Sequence, residues 1–383
     1  MNNPPRKITK NFIVYMVLLT MILAFFIASL FYDIRGESTV YKKILMGTEV
    51  EVIIMDGDSD RFDAAAESAF GEIKGLEKVF SSYMPGSVVS RISSNAGGAP
   101  VKASKDVIHV VDEALGIARL TGGAFDPTVG ALAGVWGLSG EKKYVPSREA
   151  VEKILPLVNF REVAVDEGAG TVALKKKGMS LNLGGLAKGF IVGRAAEVLK
   201  RNGVSRAIIK AGGDMFVFDV RGRAKKASFI IGIKDPRNEK DLLGEIFADN
   251  GAIATSGDYE RFFMKGGKRY HHILDPATGF PAMRSRSVTI IAKDPTIADA
   301  LSTAVFVLGP EKGLGLIESL KDVEGVVVGA DGFVHTSSGF KGRMFQSVNT
   351  AKHGPQKETG ETSPAKGSTS RKPLPKPLVK VSP

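Results

Sequence analysis

Residues 12–32, FIVYMVLLTMILAFFIASLFY, run without a charged side chain. At about 20 residues the run has the length a helix needs to cross the hydrocarbon layer of a membrane, so the chain is expected to live in two solvents. One N-terminal transmembrane helix is predicted. A cleaved leader has a shorter apolar segment ending in small residues, and ASLFYD is a poor cleavage site, so the helix is expected to remain as an anchor. Arg6, Lys7 and Lys10 precede it, whereas Asp33, Arg35 and Glu37 nearly cancel after it, which keeps the short N-terminus in the cytoplasm. The expectation is a single-pass protein of the cell inner membrane whose bulk lies on the periplasmic, extracytoplasmic side.

The chain carries a formal charge of +11, but residues 1–10 hold +3 and residues 351–383 hold +5, leaving +3 for everything between. The basic balance belongs to the ends, so a nucleic-acid surface is not expected. Residues 351–383 are rich in Pro, Lys, Ser and Gly and lack aromatics; they cannot bury enough apolar surface to offset their ordering entropy and are expected to be disordered. The predicted organisation is therefore residues 1–35 as cytoplasmic N-terminus and anchor, 36–350 as the folded domain, and 351–383 as a basic tail. With 43% hydrophobic residues the domain can build a sizeable core. There is no cysteine, which excludes thiol catalysis, disulfides, Cys-type zinc sites and a lipid-bearing Cys.

Within the domain, VYKKILMGTEVEVIIM alternates like a strand and DAAAESAFGEIKGLEKVF has helical spacing. Helices are also predicted near 107–120, after Gly185, and near 297–307 and 311–320. Strands are predicted near 162–174, 206–218 and 227–233, around Ala252, Lys268 and Ser287, and at Val326. Strand runs interrupted by pairs of helices indicate an α+β fold.

Several stretches carry polar or glycine residues that an ordinary core does not need. HHILDPATGF (271–280) sets two of the five histidines beside a turn made by Pro276 and by Gly279, which can take a positive φ. LNLGGLAKGF (181–190) bares backbone groups at a helix start near Ala187, with Lys188 beside them, a place that welcomes phosphate; a glycine pair before a helix is also common, and the P-loop spacing is missing. In ADALSTA (298–304), Asp299 and Thr303 share one helical face and offer two hard oxygens suited to Mg²⁺, or else a dipole-favoured Asp and a packed Thr. GGAFDPTVG (122–130) offers Asp126 before a proline, SSYMPGS (81–87) offers Tyr83 as a stacking surface or as packing, and AGGDMF (211–216) is a further Gly-rich stretch.

Taken in order, MGTEVEV, SSYMPGSVVSRI, GGAFDPTVGAL, LNLGGLAKGF, AGGDMFV, ATSGDYERFF, HHILDPATGFPA and ADALSTAVFVLG resemble the FAD:protein FMN transferase family, the ApbE flavin transferases formerly called thiamine-biosynthesis lipoproteins. The resemblance covers residues 41–344. It implies the ApbE-like α+β fold, mixed sheets with helices around a flavin-nucleotide cleft, and Mg²⁺-dependent transfer of FMN from FAD to a Ser or Thr hydroxyl of an acceptor flavoprotein, with release of AMP. Acceptors of this kind include subunits of membrane electron-transfer complexes. By the same resemblance Met46, Tyr83, Asp126, Asn182 and Lys188 are expected to contact FAD, and His272 with Ile273 to line the flavin pocket. Gly185, through its carbonyl, and Asp299 and Thr303 are expected to hold the metal. His272 is the candidate base for the acceptor hydroxyl, histidine having a suitable unperturbed pKa, while strand alternation turns His271 to the other side, toward water. Two departures stand out: Asn182 where the family often has Asp, and Ser93 where it usually has Asn. A FAD pyrophosphatase giving FMN and AMP, and a tethered flavin-binding protein without turnover, are the alternatives.

Overall fold

The computed structural model describes residues 38–57, 59–137, 144–221, 229–238 and 240–345. The anchor expected at 12–32 and the tail expected at 351–383 lie outside the described residues, as do 36, 37 and 346–350 at the edges of the expected domain. Among the described residues no helix is long and apolar enough to cross a membrane.

The frame is an eight-stranded sheet whose strands follow one another in chain order: Thr39–Leu45, Thr48–Ile54, Arg206–Ala211, Asp214–Asp219, Gly251–Gly257, Ser285–Ala292, Val323–Gly329 and Val334–Thr336. Every neighbouring pair is antiparallel. Because side chains alternate across a strand, Ala207 and Ile209 enter the core under helices Ser59–Phe80, Ala187–Arg201 and Pro295–Leu308. Ile208, Val217, Ile253 and Val328 enter a second core on the opposite face, against Phe229, Ile231 and Ile246 of a three-stranded sheet built from Phe229–Lys234, Leu242–Ala248 and Gly342–Met344. Both faces of the middle strands are covered, which is why Arg206–Ala211 reads as a nearly continuous apolar run.

A smaller cluster joins Leu132, Trp136, Val151 and Leu274. Trp136 donates its indole N–H to the carbonyl of Gly279 at 2.7 Å, so the Asp-Pro-Ala-Thr-Gly turn is fastened to helix Gly130–Trp136. Gly279 does adopt a positive φ, +72°, and its N–H closes the turn on the carbonyl of Asp275 at 2.8 Å.

The α+β reading agrees with this architecture, but some element boundaries differ. The stretch expected as one strand at its N-terminal end is a hairpin: Met46 and Gly47 turn the chain at φ of +53° and +69°, pairing Leu45 with Thr48. The strand expected near 162–174 is likewise two, Val163–Asp166 and Thr171–Leu174. In both cases alternation continues through a tight turn, so periodicity alone cannot see it. Strand Leu242–Ala248 and the hairpin strand Phe262–Lys265 were not expected.

Candidate active site

Three elements converge on a buried charged centre. The chain leaves the Asn182–Gly185 turn and enters helix Ala187–Arg201, whose preceding residue, Leu186, offers no side-chain cap. Lys188 lies in its first turn, where the Ala187 N–H bonds the Leu183 carbonyl at 2.8 Å. The Lys188 ammonium bonds the carboxylate of Asp214, at the start of the strand after the Gly212–Gly213 turn, and lies 3.5 Å from Asp299. The second oxygen of Asp299 accepts the backbone N–H of Gly189 at 3.0 Å. Asp214 and Asp299 are each 2% exposed.

The charges of this centre do not cancel. One ammonium stands between two carboxyl groups in a place with little water, so with both ionised the centre is net negative. Burial, reinforced by the negative charge of Asp214, pushes the Asp299 carboxyl above the usual carboxylate range despite Lys188 and the Gly189 N–H. Burial opposes the charge on Lys188, but Asp214 and Asp299 outweigh it and raise its pKa, so Lys188 stays protonated. Thr303 sits one helical turn beyond Asp299, its hydroxyl 3.4 Å from that of Ser256. Gly185 abuts it: a Cβ on Gly185 would fall 3.0 Å from the Thr303 hydroxyl. The donors gathered here are carboxylates and hydroxyls, all hard oxygens, and a divalent cation would reverse the excess negative charge.

Beside this centre opens a cleft of about 360 Å³, lined among others by Tyr83, Asn182, Arg261, Phe262, Tyr270 and His272. Its outer wall is the hairpin Phe262–Lys265/Lys268–His271, stiffened by the stacked rings of Phe263 and Tyr270. Asn182 folds its side chain onto the Gly184 N–H at 2.9 Å, which shapes the turn leading toward Lys188. The Arg261 carbonyl holds His272 twice, accepting its backbone N–H at 3.1 Å and facing its Nδ1 at 3.3 Å. A carbonyl only accepts, so Nδ1 carries the proton and Nε2 keeps its lone pair. Removal from water by the cleft walls, with the positive charges of Arg261 and Lys188, holds the pKa of His272 below its ordinary value, although the residue keeps an exposed edge.

His271 departs from expectation. It is 2% exposed and does not face water: its Nδ1 accepts the Ile273 N–H, its Nε2 meets the Ala282 carbonyl at 2.7 Å, and its ring stands edge-on to Phe306. The alternation that separates the two histidines holds, but helix Pro295–Leu308 covers the second side.

Of the residues singled out in the sequence, Lys188 and Asp299 meet directly, Gly185 and Thr303 touch, and Tyr83, Asn182 and His272 share the cleft. Met46 is half-buried in the turn of the first hairpin, its N–H donated to Glu77 at 2.8 Å. Ile273 is 6% exposed and belongs to the main core. Asp126 is turned into the protein, with one oxygen taken by the N–H and hydroxyl of Thr128 and the other by the N–H of Phe160. Asp214 and Arg261 were not singled out; AGGD and DYER are the only signals they leave, and each reads as turn or surface chemistry by itself.

Comparison with known proteins supplies the family. The model of the ApbE family matches residues 46–327. The FAD:protein FMN transferase of Treponema pallidum is 35% identical over 295 residues, covering 73% of this chain and 81% of that one. The enzyme of the same name from Klebsiella pneumoniae is 31% identical over 290 residues, covering 75% and 88%. Among solved structures, the ApbE protein of Thermotoga maritima superposes with a TM-score of 0.72 at 35% identity, covering 79% of this chain and 97% of that one. The flavin transferase ApbE of Vibrio cholerae gives 0.68 at 26% identity, covering 79% and 98%. A family match that spans the hairpin at Met46, the Lys188–Asp214–Asp299 centre and the cleft beside it leaves one assignment: this chain belongs to the ApbE family.

Proposed function

We propose that the protein is a membrane-anchored, Mg²⁺-dependent FAD:protein FMN transferase. The observation that carries this reading is the juxtaposition of an aromatic cleft with an oxygen-rich, net negative centre in which Lys188 bridges Asp214 and Asp299. The cleft accepts the planar flavin, with Tyr83 at its rim and Asn182 in its wall. The Lys188 ammonium, at the helix start, serves the phosphates. Met46, Asp126 and Ile273 act through the shape of the walls around the nucleotide.

Among the described residues no group of three or more His, Cys, Asp or Glu side chains could hold a metal, so Asp299, Thr303 and the Gly185 carbonyl would hold Mg²⁺ together with substrate phosphate. When bound, the ion neutralises charge that develops on the pyrophosphate oxygens. The protein's own residues do the rest. His272 presents a neutral Nε2 to an acceptor Ser or Thr hydroxyl; as that oxygen bonds to the FMN phosphorus, its proton passes to Nε2, the phosphorus–oxygen bond to the adenylate breaks, and AMP leaves with the bridging oxygen. The charge-free run at 12–32, with basic residues before it, supports an anchor that leaves the domain on the periplasmic side.

The test is to incubate the protein with FAD, Mg²⁺ and a candidate acceptor flavoprotein subunit and to follow acceptor mass and AMP. A mass gain equal to one FMN phosphoester, lost in Asp299→Ala, is expected. AMP released without any labelled acceptor would make the protein a FAD pyrophosphatase, and unchanged FAD would make it a flavin-binding protein.

A further inference from the structure

The geometry points to Arg261 as the residue that reads the pyrophosphate of the substrate, distinguishing a flavin dinucleotide from the bare flavin that the aromatic cleft would also accept. This inference rests on the flavin-nucleotide reading above.

Arg261 lines the cleft together with Asn182 and His272 and is exposed to it. Its backbone is pinned, because its carbonyl holds both the N–H and the ring of His272. The guanidinium therefore leaves the chain from a fixed point next to the candidate base. Its far end lies against the first hairpin: a Cβ on Gly47 would come within 3.2 Å of Nη2. The glycine at that turn leaves room for a flat cation between the hairpin and the cleft.

The other cations nearby are already engaged. Lys188 is held by Asp214 and Asp299. Arg237 forms a two-pronged pair with Asp258 at 2.7 and 2.6 Å, and Arg269 lies 3.9 Å from the same carboxylate while stacking over Phe262. Arg261 has no such carboxylate among the described residues; Glu260, which also lines the cleft, does not pair with it. A guanidinium fork matches two phosphate oxygens at once, and an unpaired one at the edge of a cleft is available for that use. Riboflavin has no phosphate, whereas the two phosphates of FAD are negatively charged, so the contribution of Arg261 appears only with the phosphorylated ligand.

The experiment uses the full chain in detergent, with FAD and riboflavin as probes, binding followed by quenching of flavin fluorescence in the presence of Mg²⁺. Arg261→Gln is expected to weaken FAD about 10- to 100-fold, the range for a charged hydrogen bond, and to leave riboflavin unchanged. Arg261→Lys, which keeps the charge but not the fork, should fall between. Equal weakening of both ligands would mean that Arg261 only supports the fold of the cleft, and an unchanged FAD affinity would mean that it reads nothing; either overturns the inference. A wild-type protein that binds FAD yet neither labels an acceptor nor releases AMP would instead overturn the transferase reading while leaving this one standing.

Discussion

The N–H of Gly189 and the carboxylate of Asp299 are joined at 3.0 Å across two helices, and this contact exists only because residue 189 has no side chain. A Cβ there would come within 2.0 Å of the Pro295 carbonyl and 2.9 Å of the Asp299 Cβ. Helices Ala187–Arg201 and Pro295–Leu308 would have to part, taking Lys188 away from Asp299. Gly189→Ala is expected to lower stability by about 2–3 kcal/mol, as overpacking does, and to reduce AMP release more than FAD binding. Urea unfolding and steady-state kinetics on the same preparation check both halves.

The charge count at the centre leads to a second expectation. Without a cation, Asp214 and Asp299 outnumber Lys188 and repel a pyrophosphate. Chelation should therefore suppress AMP release by about 10³-fold, in keeping with the several kcal/mol that a metal contributes to charge stabilisation, and added Mg²⁺ should restore it. Asp299→Asn should need much more Mg²⁺ for the same rate. A Mg²⁺ titration of wild type and variant, read by AMP release, decides this; a rate indifferent to chelator would refute it.

The two histidines make pH informative. Both have pKa values held below the ordinary 6.5, by burial first, so in the folded protein both are neutral at pH 7. As pH falls below 6.5 the unfolded chain binds protons at these two histidines that the folded one refuses, so their contribution to stability declines, while Asp299, whose pKa is raised, contributes with the opposite sign. Catalysis should follow the same sign: the rate stays level above pH 6.5 and falls only as the lowered pKa of His272 is crossed. His272→Gln should cost 10²- to 10⁴-fold and remove the acid limb, whereas His271→Gln should lower the melting temperature and leave the limb in place. Because burial lowers the pKa of His272 to about 4, rate and melting profiles carried from pH 8 down through that value separate the two roles.

How much of this was legible in the sequence depends on how far apart the partners lie. Asp299 and Thr303 are four residues apart, so helical geometry alone put them on one face, and helix Pro295–Leu308 keeps them there. Gly279 announced its positive φ through its place in a turn. Asp214 is different: its partner Lys188 is 26 residues away and Asp299 is 85 further on, and only the packing of helices Ala187–Arg201 and Pro295–Leu308 on each other and on strand Asp214–Asp219 brings them together. Likewise alternation assigned the histidines to opposite sides, but nothing local says that Phe306 lies on the far one. Periodicity reports which face a residue occupies; what covers that face is a long-range property.

Tyr83 separates binding from folding most cleanly. It is 57% exposed at the cleft rim, and its backbone N–H is satisfied by the Ser81 hydroxyl at 3.2 Å, so the turn does not depend on the ring. A large aromatic left in water gives the fold nothing, and its removal should change stability by no more than about 0.5 kcal/mol. Stacking against a flavin ring is worth about 0.5–1.5 kcal/mol beyond area burial, or roughly 2- to 12-fold in affinity. Tyr83→Ala is therefore expected to unfold at the same urea concentration as wild type while binding both FAD and riboflavin about 2- to 12-fold more weakly. Tyr83→Phe should bind like wild type, because the ring face and not the hydroxyl makes the contact. Fluorescence titration with both flavins checks this, and a loss confined to FAD would place Tyr83 against the adenylate end instead.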